Sequence, residues 1–326
     1  MPHRLPSPVL ALLLCAATAC VALARAAPAP DDQPPFLGGY LTESRVVYPL
    51  RVGEWKAIGE HRYEAAELGA SVRYQQDGQT DRWMDLYVYP SGVLPDTAFA
   101  QVFDQQVSEI VQARRQAGHD VPEATDVRTF SAPGRYDALL GELAVKPRSA
   151  GFVFEHGGKR YHSVLAMTVR DLYFIKLRAS LEAPADGPAA LDTLRTQAEA
   201  LLAGFAASLQ VLNTGGCWRD LALVDLPADR AMPDGLLASA NVGTPAEVWV
   251  ADDRIYLPAA GADQAARQAA SAMGRDLHAA LRGRCHPPGS MNPRVPEGMR
   301  ELRFEYGAPD AGSRDAMPAR ARRARA

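Results

Sequence analysis

The sequence lacks the motifs by which common enzymes are recognised. Its 326 residues contain no G-x-S-x-G nucleophile elbow, no H-E-x-x-H zinc motif and no S-x-x-K pair. They also contain neither a Walker phosphate loop nor the G-x-G-x-x-G pattern of dinucleotide-binding proteins, so we expect no cofactor. These absences favour a non-catalytic protein. A Ser-His-Asp triad is defined by geometry rather than by spacing, and that alternative stays open.

Long hydrophobic runs and basic charge are also missing. After Pro30, no apolar run approaches the roughly 18 residues that cross a bilayer, so no transmembrane segment is expected in the mature chain. The formal net charge is −3, and it becomes −5 without residues 1–27, which contain Arg4 and Arg25 and no acidic residue. A protein of this charge is not expected to bind nucleic acid.

Residues 1–27 have the pattern of a secretory signal peptide. A short basic start is followed by an apolar run from Val9 to Leu14 and by small residues that end at Ala27. The rest of the chain is rich in alanine, arginine, glycine and proline, a composition typical of bacteria with GC-rich genomes. We therefore predict a periplasmic protein, with secretion from the cell as an alternative.

The four cysteines fall into two pairs. Cys15 and Cys20 lie within the predicted signal. The segment Ala17–Cys20 resembles a lipobox, in which the cysteine is acylated, so an outer-membrane lipoprotein anchored through Cys20 is a second alternative. Cys217 and Cys285 lie in the mature chain. Two cysteines in an oxidising compartment are expected to form a disulfide bond.

Apolar periodicity predicts the secondary structure. Three- and four-residue spacing predicts three helices, at Asp96–Ala117 with Asp96 as the N-cap, at Pro188–Leu209 and at Asp263–Leu281. Alternation predicts strands at Ser71–Gln76, Arg82–Tyr89, Leu139–Val145, Phe152–Glu155, Tyr161–Val169, Leu172–Ala179, Val248–Val250, Arg254–Leu257 and Glu301–Tyr306. The expected fold class is α+β, with an antiparallel sheet covered by two amphipathic helices and followed by a small disulfide-stapled α+β region.

Composition and patterning divide the chain into five parts. The pattern becomes looser after the segment Asn213–Gly216, where we place a domain boundary. The predicted parts are a signal peptide at 1–27, a Pro-rich linker at 28–35, an α+β sandwich domain at 36–212, a small C-terminal α+β domain at 213–307 and a disordered basic tail at 308–326.

The element order of the first domain resembles that of the PsbP-like and DcrB-like α/β sandwich proteins. The resemblance covers about residues 55–209 and depends on the hairpin at 71–89, the helix at 96–117, the strands at 139–179 and the closing helix at 191–209. It includes no motif match. Such folds commonly serve as accessory or binding modules, so the resemblance implies a non-enzymatic role.

One predicted strand carries a candidate binding surface. Trp83, Tyr87 and Tyr89 alternate with Met84, Leu86 and Val88, so the three aromatic side chains share one face with Asp85. If the apolar face meets the helices, the aromatic face is open to a sugar, to peptidoglycan or to a partner protein. Coverage of the aromatic face by a second layer, such as the C-terminal domain, is the alternative.

A second candidate site is a metal site at Glu155, His156 and His162. If Gly157 and Gly158 form a two-residue turn, Glu155 pairs with Arg160 and Val153 with His162. His156 then projects from the opposite face, and no site forms. A three-residue turn would bring both histidines to one face.

We therefore expect an exported, non-catalytic binding or accessory module of the cell envelope, with an unidentified envelope protein or glycan as its partner. Two alternatives remain. The first is an envelope hydrolase whose site lies at the domain boundary, and the second is a lipid-anchored structural lipoprotein. A cleft lined by histidine, serine and acidic side chains would favour the hydrolase.

Overall fold

The computed structural model describes residues 35–116, 123–132, 140, 144–183, 188–226, 235–241, 247–257 and 264–307. The predicted signal peptide with Cys20, the linker up to Pro34 and the basic tail lie outside these residues. The described residues belong to one compact unit. Within the described part of the chain, no helix is long and apolar enough to cross a membrane.

A large antiparallel sheet dominates the fold. Its nine strands run in the order β2-β3-β4-β5-β10-β9-β8-β6, and β7 pairs beside β6 on β8. The sheet is built mostly from hairpins, including the predicted one at 71–89, whose turn contains Asp77 and Gly78. The bounds are β2 Arg51–Val52, β3 Trp55–Arg62, β4 Ala70–Gln76, β5 Trp83–Pro90, β6 Glu123–Ala124, β7 Arg128–Thr129, β8 Arg148–His156, β9 Lys159–Arg170 and β10 Tyr173–Glu182, with a short 3-10 turn at Ala66–Leu68.

Two helices pack on opposite faces of this sheet. Helix α1 (Asp96–Gln116) buries Phe99 and Phe103 against Leu165, Met167 and Phe174. Helix α2 (Pro188–Ser208) packs on the other face, where it contributes six described residues to the main core. These are Leu191, Leu194, Ala198, Leu201, Leu202 and Phe205, and they share that core with Tyr74, Leu86, Val88 and Leu177. The predicted α+β class is confirmed.

A second sheet joins distant parts of the chain. Strand β1 (Glu43–Pro49) lies between β11 (Gln210–Thr214) and β16 (Met299–Glu305), and both pairings are antiparallel. Leu302 and Phe304 of β16 belong to the main core. The residues after 213 therefore return to the sheet that opens the described chain. The domain boundary at residue 213 stays a prediction.

A third sheet and a helix follow β11. The sheet order is β12-β15-β14-β13, with β12 (Ala222–Asp225), β13 (Leu236–Asn241), β14 (Glu247–Ala251) and β15 (Arg254–Leu257). The predicted strands at 248–250 and 254–257 lie in β14 and β15, which pair as a hairpin around Asp252–Asp253. Helix α3 (Gln264–Arg282) packs closely on this sheet, because a Cβ at Gly274 would lie 2.5 Å from the Cγ2 of Ile255.

A buried polar junction connects the end of α3 to the rest of the fold. The predicted disulfide between Cys217 and Cys285 is present, with 5.8 Å between the Cα atoms. The fully buried side chain of Asn213 donates to the carbonyls of Asp171 (2.9 Å) and Gly283 (2.6 Å). It accepts a 2.6 Å hydrogen bond from Ser44. One amide therefore joins β1, β11, the β9–β10 turn and the end of α3.

The described residues also correct two local predictions. The segment Leu139–Val145 is not the predicted strand: Leu140 is helical, Ala144 and Val145 are outside any strand, and the others lie outside the described residues. Asp96 is the first residue of α1, and its carboxylate accepts hydrogen bonds from Arg148 (2.8 and 2.9 Å) and from the Lys146 backbone N–H (2.8 Å). It therefore ties α1 to β8 and is not an N-cap.

Candidate functional site

The register of β5 places the predicted aromatic side chains on the face of the large sheet that also carries α1. Met84, Leu86 and Val88 are fully buried on the opposite face, beneath α2. Asp85 lies opposite Arg73 on β4 and opposite Arg178 on β10. Tyr87 lies opposite Lys176 in the next row of the same face. We call Arg73, Trp83, Asp85, Tyr87, Tyr89, Lys176 and Arg178 together the Trp83 surface.

Helix α1 covers one end of the Trp83 surface and leaves the other open. Tyr89 packs against Phe174, with 5.1 Å between the ring centroids, and both rings belong to the core beneath α1. Trp83, at the opposite end of the strand, is 40% exposed. The aromatic face is therefore partly covered, and the cover is α1. The expectation that both helices share the apolar face is wrong, since the helices lie on opposite faces.

Arg73 and Asp85 form a bidentate ion pair at the open end. The distances are 2.7 Å from Nε to Oδ1 and 2.8 Å from Nη2 to Oδ2. The guanidinium of Arg73 also lies 5.4 Å from the centre of the Trp83 ring, within the range of cation–π attraction. Two parallel hydrogen bonds to Asp85 fix the plane of the guanidinium. The cation–π contact with this guanidinium then restricts the position of the indole ring.

Lys176 lies between two tyrosine rings beneath α1. Its Nζ is 5.2 Å from the centre of the Tyr87 ring and 5.5 Å from that of Tyr89. It donates a 3.2 Å hydrogen bond to Gln106 of α1. Burial and, to a smaller extent, the charge of Arg178 lower the pKa of Lys176 to about 8, although the carboxylate of Glu109 acts in the opposite direction. At neutral pH the lysine is still largely protonated.

Arg178 is the least satisfied cation of the Trp83 surface. Its side chain is partly buried beside Asp85, whose two oxygens are already bonded to Arg73. Among the described residues, the structure shows no hydrogen bond or ion pair to its guanidinium. Burial lowers the pKa of Arg178, while the nearby Tyr87 and Asp85 raise it. The group stays charged, because an arginine is protonated at any ordinary pH.

The predicted metal residues are separated as the two-residue turn requires. Val153 pairs with His162 and Glu155 with Arg160, as the sequence predicted for a Gly157–Gly158 turn. His162 is buried, and burial lowers its pKa. His156 is exposed and lies at the turn, on the other face of the strand. Within the described ranges, no three His, Cys, Asp or Glu side chains form a group that would hold a metal ion.

Three of the seven residues of the Trp83 surface were not predicted from the sequence. Arg73, Lys176 and Arg178 come from strands paired with β5, and strand pairing is not visible in one sequence. A signal for two of them was present, since Lys176 and Arg178 alternate with the buried apolar residues Ile175, Leu177 and Ala179 of the same strand. A charged pair in such a strand indicates a special environment.

Comparisons with known proteins give a fold-level likeness. No family model matches the chain, and no curated protein matches it in sequence. Among solved structures, it is similar to the solution structure of cyanobacterial PsbP (CyanoP) from Synechocystis sp. PCC 6803. The identity is 11%, the match covers 52% of this chain and 93% of that chain, and the TM-score is 0.29. The resemblance expected from element order is thus confirmed as a weak likeness of fold, and it assigns no residue.

Proposed function

We propose that the protein is an exported, non-catalytic module that binds a glycan of the cell envelope through the Trp83 surface. The observation that carries this proposal is an exposed indole held in place by the Arg73–Asp85 pair, at the uncovered end of a sheet face. Fixed aromatic rings bordered by polar and charged groups are typical of surfaces that bind sugars and proteins. The signal peptide predicted from the sequence supports the location.

Polar neighbours favour a sugar as the ligand. Arg73, Asp85 and Arg178 offer charged hydrogen-bonding groups beside the indole, and the exposed Ser180 lies two residues after Arg178 on the same face of β10. A sugar presents hydroxyl groups at its edges and C–H groups on its faces. It therefore fits a surface that alternates aromatic and polar side chains better than an apolar peptide does.

Co-sedimentation with purified peptidoglycan sacculi tests the proposal. Residues 28–326 are mixed with sacculi and centrifuged, and the bound fraction is compared between the natural chain and Trp83→Ala. We expect retention of the natural chain and at least a tenfold loss of affinity in the variant, because aromatic anchors commonly carry about 2 kcal/mol or more of binding energy. Leu223→Ala is the matched control, since Leu223 is an exposed apolar residue of a different sheet.

Three outcomes decide the proposal. Retention that Trp83→Ala abolishes and Leu223→Ala preserves supports it. Absence of retention, or equal retention of all three proteins, overturns it. Release of soluble sugar from the sacculi during incubation overturns the non-catalytic part and favours the hydrolase.

The intact mass of the exported protein reports the signal cleavage and any acyl group on Cys20, and a diacyl mass would favour the lipoprotein alternative.

A further inference from the structure

The Trp83 surface carries more positive than negative side chains. Arg73, Lys176 and Arg178 face two carboxylates, those of Asp85 and Glu109. The carboxylate of Asp85 accepts both hydrogen bonds of Arg73, and that of Glu109 accepts hydrogen bonds from Gln105 and Gln106 on its own helix. One positive charge is left over on a sheet face that is partly shielded from water.

The surplus is best assigned to Arg178. The ammonium of Lys176 has an acceptor in Gln106 and two aromatic rings around it. The guanidinium of Arg178 has five N–H donors, and no described residue accepts a hydrogen bond from it. None of its nitrogens is among the described buried atoms that lack a partner, so they are open to water. A ligand that reaches the guanidinium can replace this water as the hydrogen-bond acceptor.

We propose that the ligand of the Trp83 surface is a sugar that carries a carboxylate, with the carboxylate bound to Arg178 and the sugar ring placed against Trp83. This inference rests on the proposed function and names the ligand class. Arg178 is adjacent to Asp85 across the sheet, and Trp83 is two residues from Asp85, about 7 Å along the strand. A hexose with a carboxylate substituent spans such a distance.

Charge and geometry select a carboxylate. A guanidinium presents a planar fork that matches the two oxygens of a carboxylate. The surplus of one positive charge is balanced by one carboxylate, whereas a phosphate monoester carries about −1.5 to −2 charges near pH 7 and would leave an excess of negative charge. Burial is the main cause of the lowered pKa of Lys176, and the neighbouring charge of Arg178 adds to it, so an anion bound to Arg178 would relieve that second effect.

A matched pair of disaccharides tests the inference. N-acetylglucosaminyl-N-acetylmuramic acid with a free lactyl carboxylate is compared with N,N′-diacetylchitobiose, which differs by lacking the lactyl group. Binding to residues 28–326 is followed by tryptophan fluorescence, since Trp83 is the exposed member of the four tryptophans. We expect at least tenfold tighter binding of the acidic sugar, and the preference should disappear in Arg178→Gln, because charge-assisted hydrogen bonds are the strong ones.

The control variant is Arg115→Gln, an equal change at an exposed arginine in the last turn of α1. It should keep the preference. Thermal unfolding of Arg178→Gln should not be lowered, because the variant removes a charge for which no described residue provides a bond. A preference that survives in Arg178→Gln overturns the inference, as does an equal affinity for both sugars.

The inference and the proposed function can fail separately. If sacculi retain the protein through Trp83 but the two disaccharides bind equally or not at all, the carboxylate assignment is wrong and the glycan-binding function stands. If a peptide carboxylate, tested as N-acetyl-D-alanyl-D-alanine, binds as tightly as the acidic sugar, the sugar part of the assignment is wrong. If the sacculi do not retain the protein and neither sugar binds, both proposals are wrong.

Discussion

At the scale of single residues, Lys176 is the clearest conflict between charge and environment. Its ammonium lies between Tyr87 and Tyr89 under α1, on a strand whose neighbours are buried. A lysine in such a place costs stability while it is protonated, because burial disfavours the charged form. A protein keeps such a residue where it serves another purpose, and the purpose argued above is the positive field of the Trp83 surface.

The pH dependence of stability tests the state of Lys176. Its pKa is about 8 in the folded protein and near 10.4 when unfolded, so between these values the unfolded chain binds one proton more. Stability from this group therefore rises as the pH increases from about 8 to about 10. Urea unfolding at several pH values should show the free energy of the natural chain rising relative to that of Lys176→Met over this window.

Lys159→Met is the control for that experiment. Lys159 is exposed and pairs with Glu182 at 2.8 Å, and this hydrogen bond raises its pKa instead of lowering it. Its removal should leave the rise between pH 8 and 10 in place. A natural chain and Lys176→Met with parallel pH profiles would show that the lysine is not desolvated as described. Tyrosine ionisation affects both proteins, so the comparison between variants isolates the lysine.

Sequence reasoning at this scale found the aromatic residues and missed the cations. Trp83, Asp85 and Tyr87 follow from period-two alternation within one strand, which is a local property. Arg73 and Arg178 join the surface only because β4 and β10 pair with β5 in a particular register. Register depends on contacts between residues far apart in the chain, and a single sequence does not contain them in readable form.

At the scale of elements, the helices and hairpins were largely predictable. The three predicted helices agree with α1, α2 and α3 to within a residue or two, because each has a strong apolar stripe. The β8–β9 hairpin has the register that was derived for a two-residue Gly157–Gly158 turn, whereas the three-residue turn that the sequence left open is not formed. The short strands β6, β7 and β12, of two to four residues, were not predicted, since only their pairing makes them strands.

The end of α3 provides a prediction at this scale. Gly283 follows the helix with φ +80°, and a Cβ at this position would lie 2.1 Å from the Cγ of Leu172 in the β9–β10 turn. We expect Gly283→Ala to lower the free energy of unfolding by about 3 kcal/mol, through backbone strain and overpacking together. Urea unfolding of the oxidised protein measures the change.

Gly289→Ala is the matched control for that contact. Gly289 has the same backbone conformation, at φ +81°, but nothing lies within 4 Å of the added Cβ. Its substitution should cost only the backbone strain, about 1 kcal/mol. Equal losses in the two variants would show that the end of α3 does not press against the β9–β10 turn.

At the scale of the whole molecule, the last strand closes the fold. Strand β16 returns to pair with β1, and its Leu302 enters the main core beside residues of α2. The sequence predicted a strand here but not its pairing with β1, because local patterns carry no information about a partner more than two hundred residues away. The sheet β11-β1-β16 and the Asn213 junction thus link the early and late parts of the described chain.

The disulfide bond acts at this scale too, because it closes a loop of 68 residues that contains the third sheet and α3. On the chain-entropy model, a loop of that length contributes about 4 kcal/mol by restricting the unfolded chain. We expect the Cys217→Ala/Cys285→Ala double variant to lose about this much in urea unfolding, with a reducing agent destabilising the natural chain but not the variant. Residues 28–326 contain no other cysteine, so disulfide exchange cannot confuse the result. If the variant unfolds at the same urea concentration as the natural chain, the bridge does not contribute to stability, and the entropic contribution expected for the loop is wrong.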